Sequence, residues 1–500
     1  IAVNGALSLY NNGNLILDSA GGISEKYSYS VRVAGRNQTR FAIGSITTDN
    51  LTITKAKGEI ELSGGNAINN IVSVSQLAAT TVGTTVTANS ITINNNTALS
   101  IGDVKRVDAS NAEVTMPSTA NPAGDISITT NGTKSNLTLT RALGHVNALT
   151  LISGGDLTMM ESQITQGDAK IGAGNNLSNL GVNSNNGALT ETANTGNVTI
   201  NGAQVSKGKM TITAGQDIRI TGAQSTAISS NADIVYNAGH DFVQSGGTIG
   251  SDRALTINAG SNLNLAGSSG IIANGVTNVT AGNNMVLSEV NISKGGFSAT
   301  ARSGDIVIAG NQQAQGDMTY NAGGSVTNGN NTPLIKAVNA SLNPNVKYNL
   351  TVTAKTGVVN LSGVVTAANV TASGLGALSI NNAANDISSF GDLSGNGVAV
   401  SSTQDIALNG AVNNGKGDTS INASGKQITL NASINIASGN LTLKAANYTA
   451  NSYLVKRVRK DYNITYKDTV LNASDLNSFS ATPTAGLTKA KTAGLVISGN

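Results

Sequence analysis

Short stretches of this chain alternate strictly between apolar and polar residues. The clearest are Met-Thr-Ile-Thr-Ala at 210–214 and Leu-Thr-Ile-Asn-Ala at 255–259. Alternation with a period of two is typical of a β-strand that buries one face. Gly, Asn, Asp and Ser separate these runs, and the middle of the chain has no helical spacing long enough for crossover helices. The pattern therefore predicts many short strands and argues against an α/β fold.

The alternating runs recur with a nearly constant period. A glycine follows each copy of the phrase, and the glycines that do so lie at near-regular intervals from Gly155 to Gly323. A repeat of this length without helices is typical of one coil of a parallel β-helix. One coil cannot bury its apolar residues alone, so it must stack on its neighbours. We therefore predict an all-β, single-stranded, parallel β-helix with about 21 residues per coil.

The same alternation predicts which side chains fill the interior. Inward positions should form ladders of Val, Ile, Leu and Ala, and a narrow interior would explain why aromatic residues make up only 3% of the chain. The glycines at the turns are expected to supply positive φ. The residues expected to point inward beside the repeat turns are Ile212, Ile218, Leu255, Ile257, Leu263 and Leu265.

Four segments break the repeat: 24–41, 105–124, 330–349 and 445–490. Together they hold all five prolines and much of the charge. We expect the first three to protrude as loops or hairpins from a shaft spanning 1–444. Residues 445–500 should form an irregular hairpin segment, rich in Tyr, Lys and Arg, before the chain returns to the β-helix.

The composition narrows the class of partner. Charged residues make up 11% of the chain, against about 25% in an average soluble domain. A net charge of +3 indicates neither nucleic acid nor an anionic membrane as a partner. No apolar run approaches the roughly 20 residues needed to cross a bilayer, and the absence of cysteine excludes disulfides and thiol chemistry. The chain does not open with a basic segment and an apolar core, so we expect a secretion signal to have been removed or to lie upstream.

Three phrases carry a family resemblance. The stretches Gly-Asn-Val-Thr-Ile-Asn-Gly (196–202), Met-Thr-Ile-Thr-Ala-Gly-Gln-Asp-Ile-Arg-Ile-Thr-Gly (210–222) and Leu-Thr-Ile-Asn-Ala-Gly-Ser-Asn-Leu-Asn-Leu-Ala-Gly (255–267) resemble the shaft repeats of filamentous haemagglutinin and related exoproteins of the two-partner secretion system. Weaker copies extend over about 125–445. The resemblance implies a right-handed β-helix, export through a dedicated outer-membrane pore, and roles in adhesion, biofilm cohesion or contact-dependent inhibition. The family's amino-terminal secretion domain carries an Asn-Pro-Asn signature; the one here, at 343–345, lies too deep to be equated with it, so that domain is expected upstream.

An enzyme on the same fold would need clustered carboxylates, usually with a basic partner. Asp217 and Asp241 occupy equivalent positions two residues after a repeat glycine, and Asn284 occupies the same place in a later coil. We expect this Asp/Asn ladder to be structural, because short polar side chains hydrogen-bond turn backbone. His240 should be a turn residue facing solvent, and His145 has no second histidine nearby, so no zinc site is predicted. No catalytic residue or cofactor is predicted either.

Two of the interrupting segments combine tyrosines with basic residues. Exposed Tyr and Arg are enriched at binding hot spots, and Tyr rings also suit sugar faces. An ordinary hairpin or a stacking cap is the alternative interpretation. The candidate ligand-binding residues are Tyr27, Tyr29, Arg32, Arg36, Tyr448, Tyr453, Lys456, Arg457, Arg459, Lys460, Tyr462 and Tyr466.

These features favour the stalk of a secreted bacterial surface adhesin rather than an enzyme. Its expected partners are a carbohydrate or cell-surface receptor on host cells, other bacteria or biofilm matrix, and an outer-membrane secretion pore. Neither nucleic-acid binding nor membrane insertion is expected. The alternatives are the stalk of a contact-dependent growth-inhibition toxin and a β-helical polysaccharide-degrading enzyme. A carboxylate cluster with a basic partner in one groove would favour the enzyme.

Overall fold

The computed structural model describes most of the chain, although in several strands it describes only the backbone. None of the described residues forms a helix long and apolar enough to cross a membrane. The described ranges are 1–9, 13–18, 23–33, 36–56, 59–77, 79–82, 85–87, 90–107, 124–143, 145–184, 186–222, 227–265, 270–292, 294–328, 333–338, 346–423, 425–450, 455–456 and 495–498.

The chain divides into two compact units, Ile1–Arg253 and Ala254–Asn500. The strands of the first unit are β1 Ala6–Ser8, β2 Asn14–Asp18, β3 Ile23–Ser24, β4 Lys26–Val33, β5 Arg36–Ile43, β6 Ser45–Ala56, β7 Ile60–Leu77, β8 Ala79–Val82, β9 Thr85–Thr87, β10 Ile91–Asn95, β11 Leu99–Val107, β12 Ile126–Thr130, β13 Leu137–Leu139, β14 His145–Val146, β15 Leu149–Ser153, β16 Leu157–Met159, β17 Gln163–Thr165, β18 Ala169–Ala173, β19 Leu177–Asn179, β20 Val182–Ser184, β21 Leu189–Ala193, β22 Val198–Ile200, β23 Gln204–Ser206, β24 Met210–Ala214, β25 Ile218–Ile220, β26 Ala227–Ser230, β27 Ile234–Ala238, β28 Phe242–Gln244 and β29 Thr248–Ser251.

The second unit is built in the same way. Its strands are β30 Leu255–Ala259, β31 Leu263–Leu265, β32 Ile271–Ala273, β33 Thr277–Ala281, β34 Met285–Leu287, β35 Val290–Ile292, β36 Phe297–Ala301, β37 Ile306–Ile308, β38 Gln312–Ala314, β39 Met318–Ala322, β40 Val326–Asn328, β41 Ile335–Ala337, β42 Asn349–Ala354, β43 Val359–Asn360, β44 Val365–Gly374, β45 Leu378–Ile380, β46 Asp386–Gly395, β47 Val398–Ser401, β48 Ile406–Leu408, β49 Val412–Asn414, β50 Thr419–Asn422, β51 Gln427–Leu430, β52 Ile434–Ile436, β53 Leu441–Lys444, β54 Asn447–Ala450, β55 Val455–Lys456 and β56 Leu495–Ser498.

Parallel pairing between successive coils organises both units. In the first, Leu149 pairs with Ala169, and Ala169 pairs in turn with Leu189. In the second, Phe297 pairs with Met318 in the same way. The prediction of an all-β parallel solenoid with about 21 residues per turn is confirmed. Its right-handed sense stays a prediction.

A regular coil consists of three strands separated by tight turns, as in β21, β22 and β23. Burial alternates along each of them, with every second side chain inside. Fully burying one Leu, Ile or Val contributes about 1.5–3 kcal/mol, and each coil contributes several such side chains. Because equivalent strands lie about 4.8 Å apart, each inward side chain packs on its counterparts above and below.

The predicted interior positions are confirmed. Two edge-to-face aromatic pairs, Tyr236 with Phe242 and Phe297 with Tyr320, also lie in the core, with ring centroids 5.4 and 5.8 Å apart. The interior is therefore wide enough to hold two aromatic rings in contact. The six predicted core residues, Ile212, Ile218, Leu255, Ile257, Leu263 and Leu265, are each at most 1% exposed.

Positive φ is confirmed at several turn glycines, such as Gly132 and Gly439, but not at the repeat glycines. Neither Gly174 nor Gly239 has positive φ; instead, a Cβ at Gly174 would lie 2.1 Å from the carbonyl oxygen of Gly154, and one at Gly239 would lie 2.1 Å from that of Gly215. The turn of one coil rests directly on the turn before it. At these two turns a side chain would collide with the neighbouring backbone unless that backbone moved.

Where the repeat is interrupted, the described backbone departs from the parallel ladder in the first unit. β4 and β5 pair antiparallel, with Lys26 opposite Ile43 and Val33 opposite Arg36, and form a separate two-stranded sheet. The strand β56 pairs in parallel with β53, joining Leu441 to Leu495. Residues 108–123, 329–332, 339–345, 451–454 and 457–494 lie outside the described residues. The predicted division into a 1–444 shaft and a 445–500 segment stays a prediction.

Replacing Ile257 with Asp tests the interior register. Ile257 is fully buried and pairs with Val279 of the next coil. An uncompensated charge at this position should lower the free energy of unfolding by about 3–5 kcal/mol. Thermal melting followed by circular dichroism measures the loss. The matched control is Thr256→Asp, on the outward side of the same strand, and equal melting of the two variants would contradict the register.

Candidate functional site

For the predicted ligand-binding residues, the structure describes either the backbone alone or nothing. Tyr27, Tyr29 and Arg32 lie on β4 and Arg36 lies on β5, the two strands of the antiparallel hairpin. Tyr448 lies on β54 and Lys456 on β55. No contact is described for any of these side chains, so their binding role stays a prediction. Tyr453, Arg457, Arg459, Lys460, Tyr462 and Tyr466 lie outside the described residues.

A column of Asp and Asn side chains links successive coils at one turn; we call it the Asx column. Each side-chain oxygen accepts a hydrogen bond from the backbone N–H of the equivalent residue one coil later. In the first unit the successive members are Asn136, Asp156, Asn176, Asn197, Asp217 and Asp241, with N···O distances of 2.8, 2.9, 2.9, 3.0 and 3.0 Å.

The second unit has a column of the same kind. Asn262 accepts from the N–H of Asn284 at 3.3 Å, Asn284 from Asp305 at 3.0 Å, and Asp305 from Ser325 at 2.7 Å. Turn N–H groups that no strand satisfies are thereby paired, at a net gain of about 1 kcal/mol each. The prediction that this Asp/Asn ladder bonds turn backbone is confirmed, and the backbone in question belongs to the next coil.

At its Asp217 step the Asx column gathers further charged groups, which we call the Asp217 cluster: Asp217, Arg219, His240 and Asp241. His240 Nδ1 lies 3.1 Å from Asp217 Oδ1 and 3.5 Å from Asp241 Oδ2, and Arg219 Nη2 lies 2.6 Å from Asp217 Oδ2. The side chain of His240 is 56% exposed, as expected of a turn residue facing solvent. Sequence reasoning aligned the two aspartates but missed Arg219, which lies on the outward side of β25.

Electrostatics hold Asp217 in its charged form. Burial raises the pKa of this carboxyl, but hydrogen bonds from Arg219, from the backbone of Asp241 and from His240 outweigh it, so the pKa is lowered. A general acid in glycoside hydrolysis needs the opposite shift. Asp217 therefore lacks the protonated form that such a role requires.

The cluster also offers one possible ligand atom each from Asp217, His240 and Asp241, all within 4.8 Å of one another. A cation bound there would have to displace the contact between His240 and Asp217 and sit near the Arg219 guanidinium. Both Asp217 oxygens already accept hydrogen bonds. This arrangement suits the joining of coils better than metal binding.

Substitutions at Asp217 test this structural role. Asp217→Ala leaves the N–H of Asp241 without its acceptor and should cost about 1–3 kcal/mol, whereas Asp217→Asn keeps an acceptor oxygen and should cost less. Because the folded pKa is lowered, the advantage of the carboxylate over Asn is present above its unfolded pKa. That advantage should disappear as the pH falls through the folded value. Urea unfolding at neutral and acid pH measures both effects, and an unaffected Ala variant would contradict the role.

A buried carboxyl, that of Glu191, lies inside the first unit at a position where the alternating pattern predicts an apolar side chain. Glu191 is fully buried and pairs in register with Ile171 and Ile212. Its Oε1 accepts a hydrogen bond of 3.0 Å from Asn179 Nδ2, and Asn179 Oδ1 accepts one from Gln204. Glu191 Oε2 has no hydrogen-bond partner. The signal was present in the sequence, because Thr-Glu-Thr at 190–192 stands where the next coil has Thr-Ile-Thr.

Burial sets the protonation state of Glu191. It raises the pKa to about 8, and the Asn179 hydrogen bond only partly opposes this shift. The folded state therefore retains a proton that the unfolded chain releases near pH 4.5. Stability should fall by about 1.4 kcal/mol per pH unit between these two pKa values.

Glu191→Gln should remove this pH dependence. The loss of melting temperature between about pH 5 and about pH 8 should be smaller in the variant than in the wild type. Glu25, whose pKa burial also raises, leaves a residual slope in both proteins. The exposed Glu59, replaced by Gln, is the matched control. Parallel pH profiles for wild type and Glu191→Gln would show that Glu191 does not titrate in this way.

Comparison with known proteins assigns no role to these groups. Neither a protein-family model, nor a curated protein, nor a solved structure matches this chain.

Proposed function

We propose that this chain is a stalk segment of a secreted bacterial surface adhesin. The observation that carries the proposal is the in-register parallel stacking of coil on coil in each unit, reinforced at one turn by the Asx column. The resemblance of its repeats to those of filamentous haemagglutinin supports the same function.

The physics of the fold suits support and display. Strands in the interior of each unit have their backbone groups paired on both sides, and stacking buries a continuous core. The outward positions carry mostly Thr, Asn and Ser, so the surface stays hydrated with little charge. Such a support can carry binding segments away from the cell without a binding pocket of its own in every coil.

Export through an outer-membrane pore and a final place on the cell surface belong to the same proposal. The absence of cysteine is consistent with it, since pores of this kind pass unfolded chains. The partner would be a carbohydrate or a receptor on a host cell, another bacterium or the biofilm matrix.

A polysaccharide-degrading enzyme is the second candidate. The Asp217 cluster favours it in one respect, because two carboxylates lie beside a basic partner, Arg219. The lowered pKa of Asp217 and its two engaged oxygens weigh against an acid role. Release of shortened sugar products would be the signature of this activity.

Surface display tests the adhesin proposal. A non-adherent bacterium displaying the chain should be retained on host cells or matrix polysaccharide. Deletion of residues 452–467, which include most of the Tyr/Lys/Arg segment, should reduce retention because that segment offers the aromatic and cationic contacts. Antibody detection of an added tag controls for equal display. Full adhesion after the deletion would place binding elsewhere, and no gain over the parent strain would refute the adhesin function.

A further inference from the structure

A shallow polar groove opens on the second unit, and its lining includes none of the predicted site residues. Its volume is about 520 Å³, within the range of small-ligand pockets. It crosses β42, β44 and β46 and ends at the turn after β48. Polar side chains line it: Asn349, Asn369, Thr371, Ser389, Asp392 and Asn409.

A β-bulge forms the floor of this groove. Val370 pairs with Phe390, but Ala372 pairs with Leu393, so β46 holds one more residue than β44 over this step. Bulges of this kind often re-aim side chains beside binding sites. Gly391 lies in the bulge, where a Cβ would be 2.4 Å from Thr371 Oγ1. A larger residue would occupy the space that the groove leaves open.

Hydrogen bonds fix the lining groups in place. The Ser389 hydroxyl donates to Asn369 Oδ1 at 2.9 Å, and Asn431 Nδ2 donates to Asn409 Oδ1 at 2.8 Å. Asp392 Oδ1 accepts from the N–H of Ala411 at 2.8 Å, so this carboxylate is partly engaged by backbone. Oriented amides and hydroxyls can both donate to and accept from a ligand.

The chemistry of the lining selects the kind of ligand. Its one charged residue is Asp392, and none of its side chains is basic or large and apolar. Lys347, which precedes β42, is paired with Asp386 at 2.6 Å. Nucleic acid and sulfated glycans need cations, and a lipid or an amphipathic helix needs an apolar face. Neither requirement is met here.

We propose that this groove binds a neutral, hydroxyl-rich segment of a polysaccharide. Asn349, Asn369 and Ser389 stand in register on successive coils, about 4.8 Å apart. Thr319, Thr351 and Thr371 form a second outward row beside them. A linear polymer of sugar units can follow such rows, with a hydroxyl partner at each step. The proposal rests on the adhesin function for its biological purpose and names the partner class of that function.

Binding by the purified full chain tests the groove. The probes are laminarin, mannan and cellohexaose, with heparin as the anionic comparison, and the measurement is saturation-transfer NMR supported by affinity electrophoresis. All contacts are hydrogen bonds, so the affinity should be weak. At least one neutral glycan should bind, and Asn349→Leu and the double variant with Asn369→Leu should weaken that binding at least tenfold. Asn278→Leu, at an outward position of β33, is the matched control and should bind as the wild type does.

Three results would overturn the assignment. They are no signal with any of the neutral glycans, stronger binding of heparin than of these glycans, or undiminished glycan binding by an Asn349→Leu variant that melts as the wild type does. The single variant keeps the test decisive if the double variant unfolds, because the Asn349 side chain is exposed. Groove binding without adhesion in the display assay would refute the adhesin and leave the groove intact. Adhesion without groove binding would refute only the groove.

Discussion

Each coil of this protein depends on the coil before it for both backbone pairing and apolar contact. A three-residue strand such as β22 has too little surface to fold alone, and its backbone groups are satisfied only by β19 and β25. The same dependence governs the turns, where Gly239 rests on Gly215 and Asp217 accepts the N–H of Asp241. A substitution therefore affects the neighbouring coils first. The free energy of unfolding is close to a sum of contributions from each coil and each interface between coils.

This constraint explains why a charged group at an inward position conflicts with its neighbours. An Ile at an inward position contacts similar residues above and below, whereas Glu191 places a carboxyl between Ile171 and Ile212. Asn179 donates to one oxygen of this carboxyl, and Gln204 donates in turn to Asn179. A fully apolar ladder would bury no carboxyl, so Glu191 conflicts locally with the alternation of apolar and polar residues that specifies the fold. Glu191 is consequently one group through which pH acts on the stability of the first unit, together with Glu25 and Asp217.

The strand pattern and repeat length were predictable because both are local properties of the sequence. Alternation at 210–214 and at 255–259 fixes which side chains face inward, and the six core positions follow from it. Contacts between coils were harder to predict from the sequence, because coil length varies. The step from Met210 to its partner Ile234 is longer than the step from Leu189 to Met210. Without the register, nothing showed that a repeat glycine meets the preceding backbone; positive φ accounts for other turn glycines but not for these. The approach of Arg219 to Asp217, in contrast, lies within a single short stretch of chain and could have been proposed.

The proposed binding sites lie where the repeat is irregular, and this has a physical reason. Regular coils repeat one set of outward Thr, Asn and Ser groups, so they recognise only partners that repeat as well. An added residue, as in the bulge at Gly391, changes the local spacing and opens a concave surface beside the regular face. A polysaccharide combines both properties, since it repeats along its length and fills a groove with one unit. In the proposed stalk, specificity can therefore arise from one displaced strand within a repetitive face, as well as from segments that leave the solenoid.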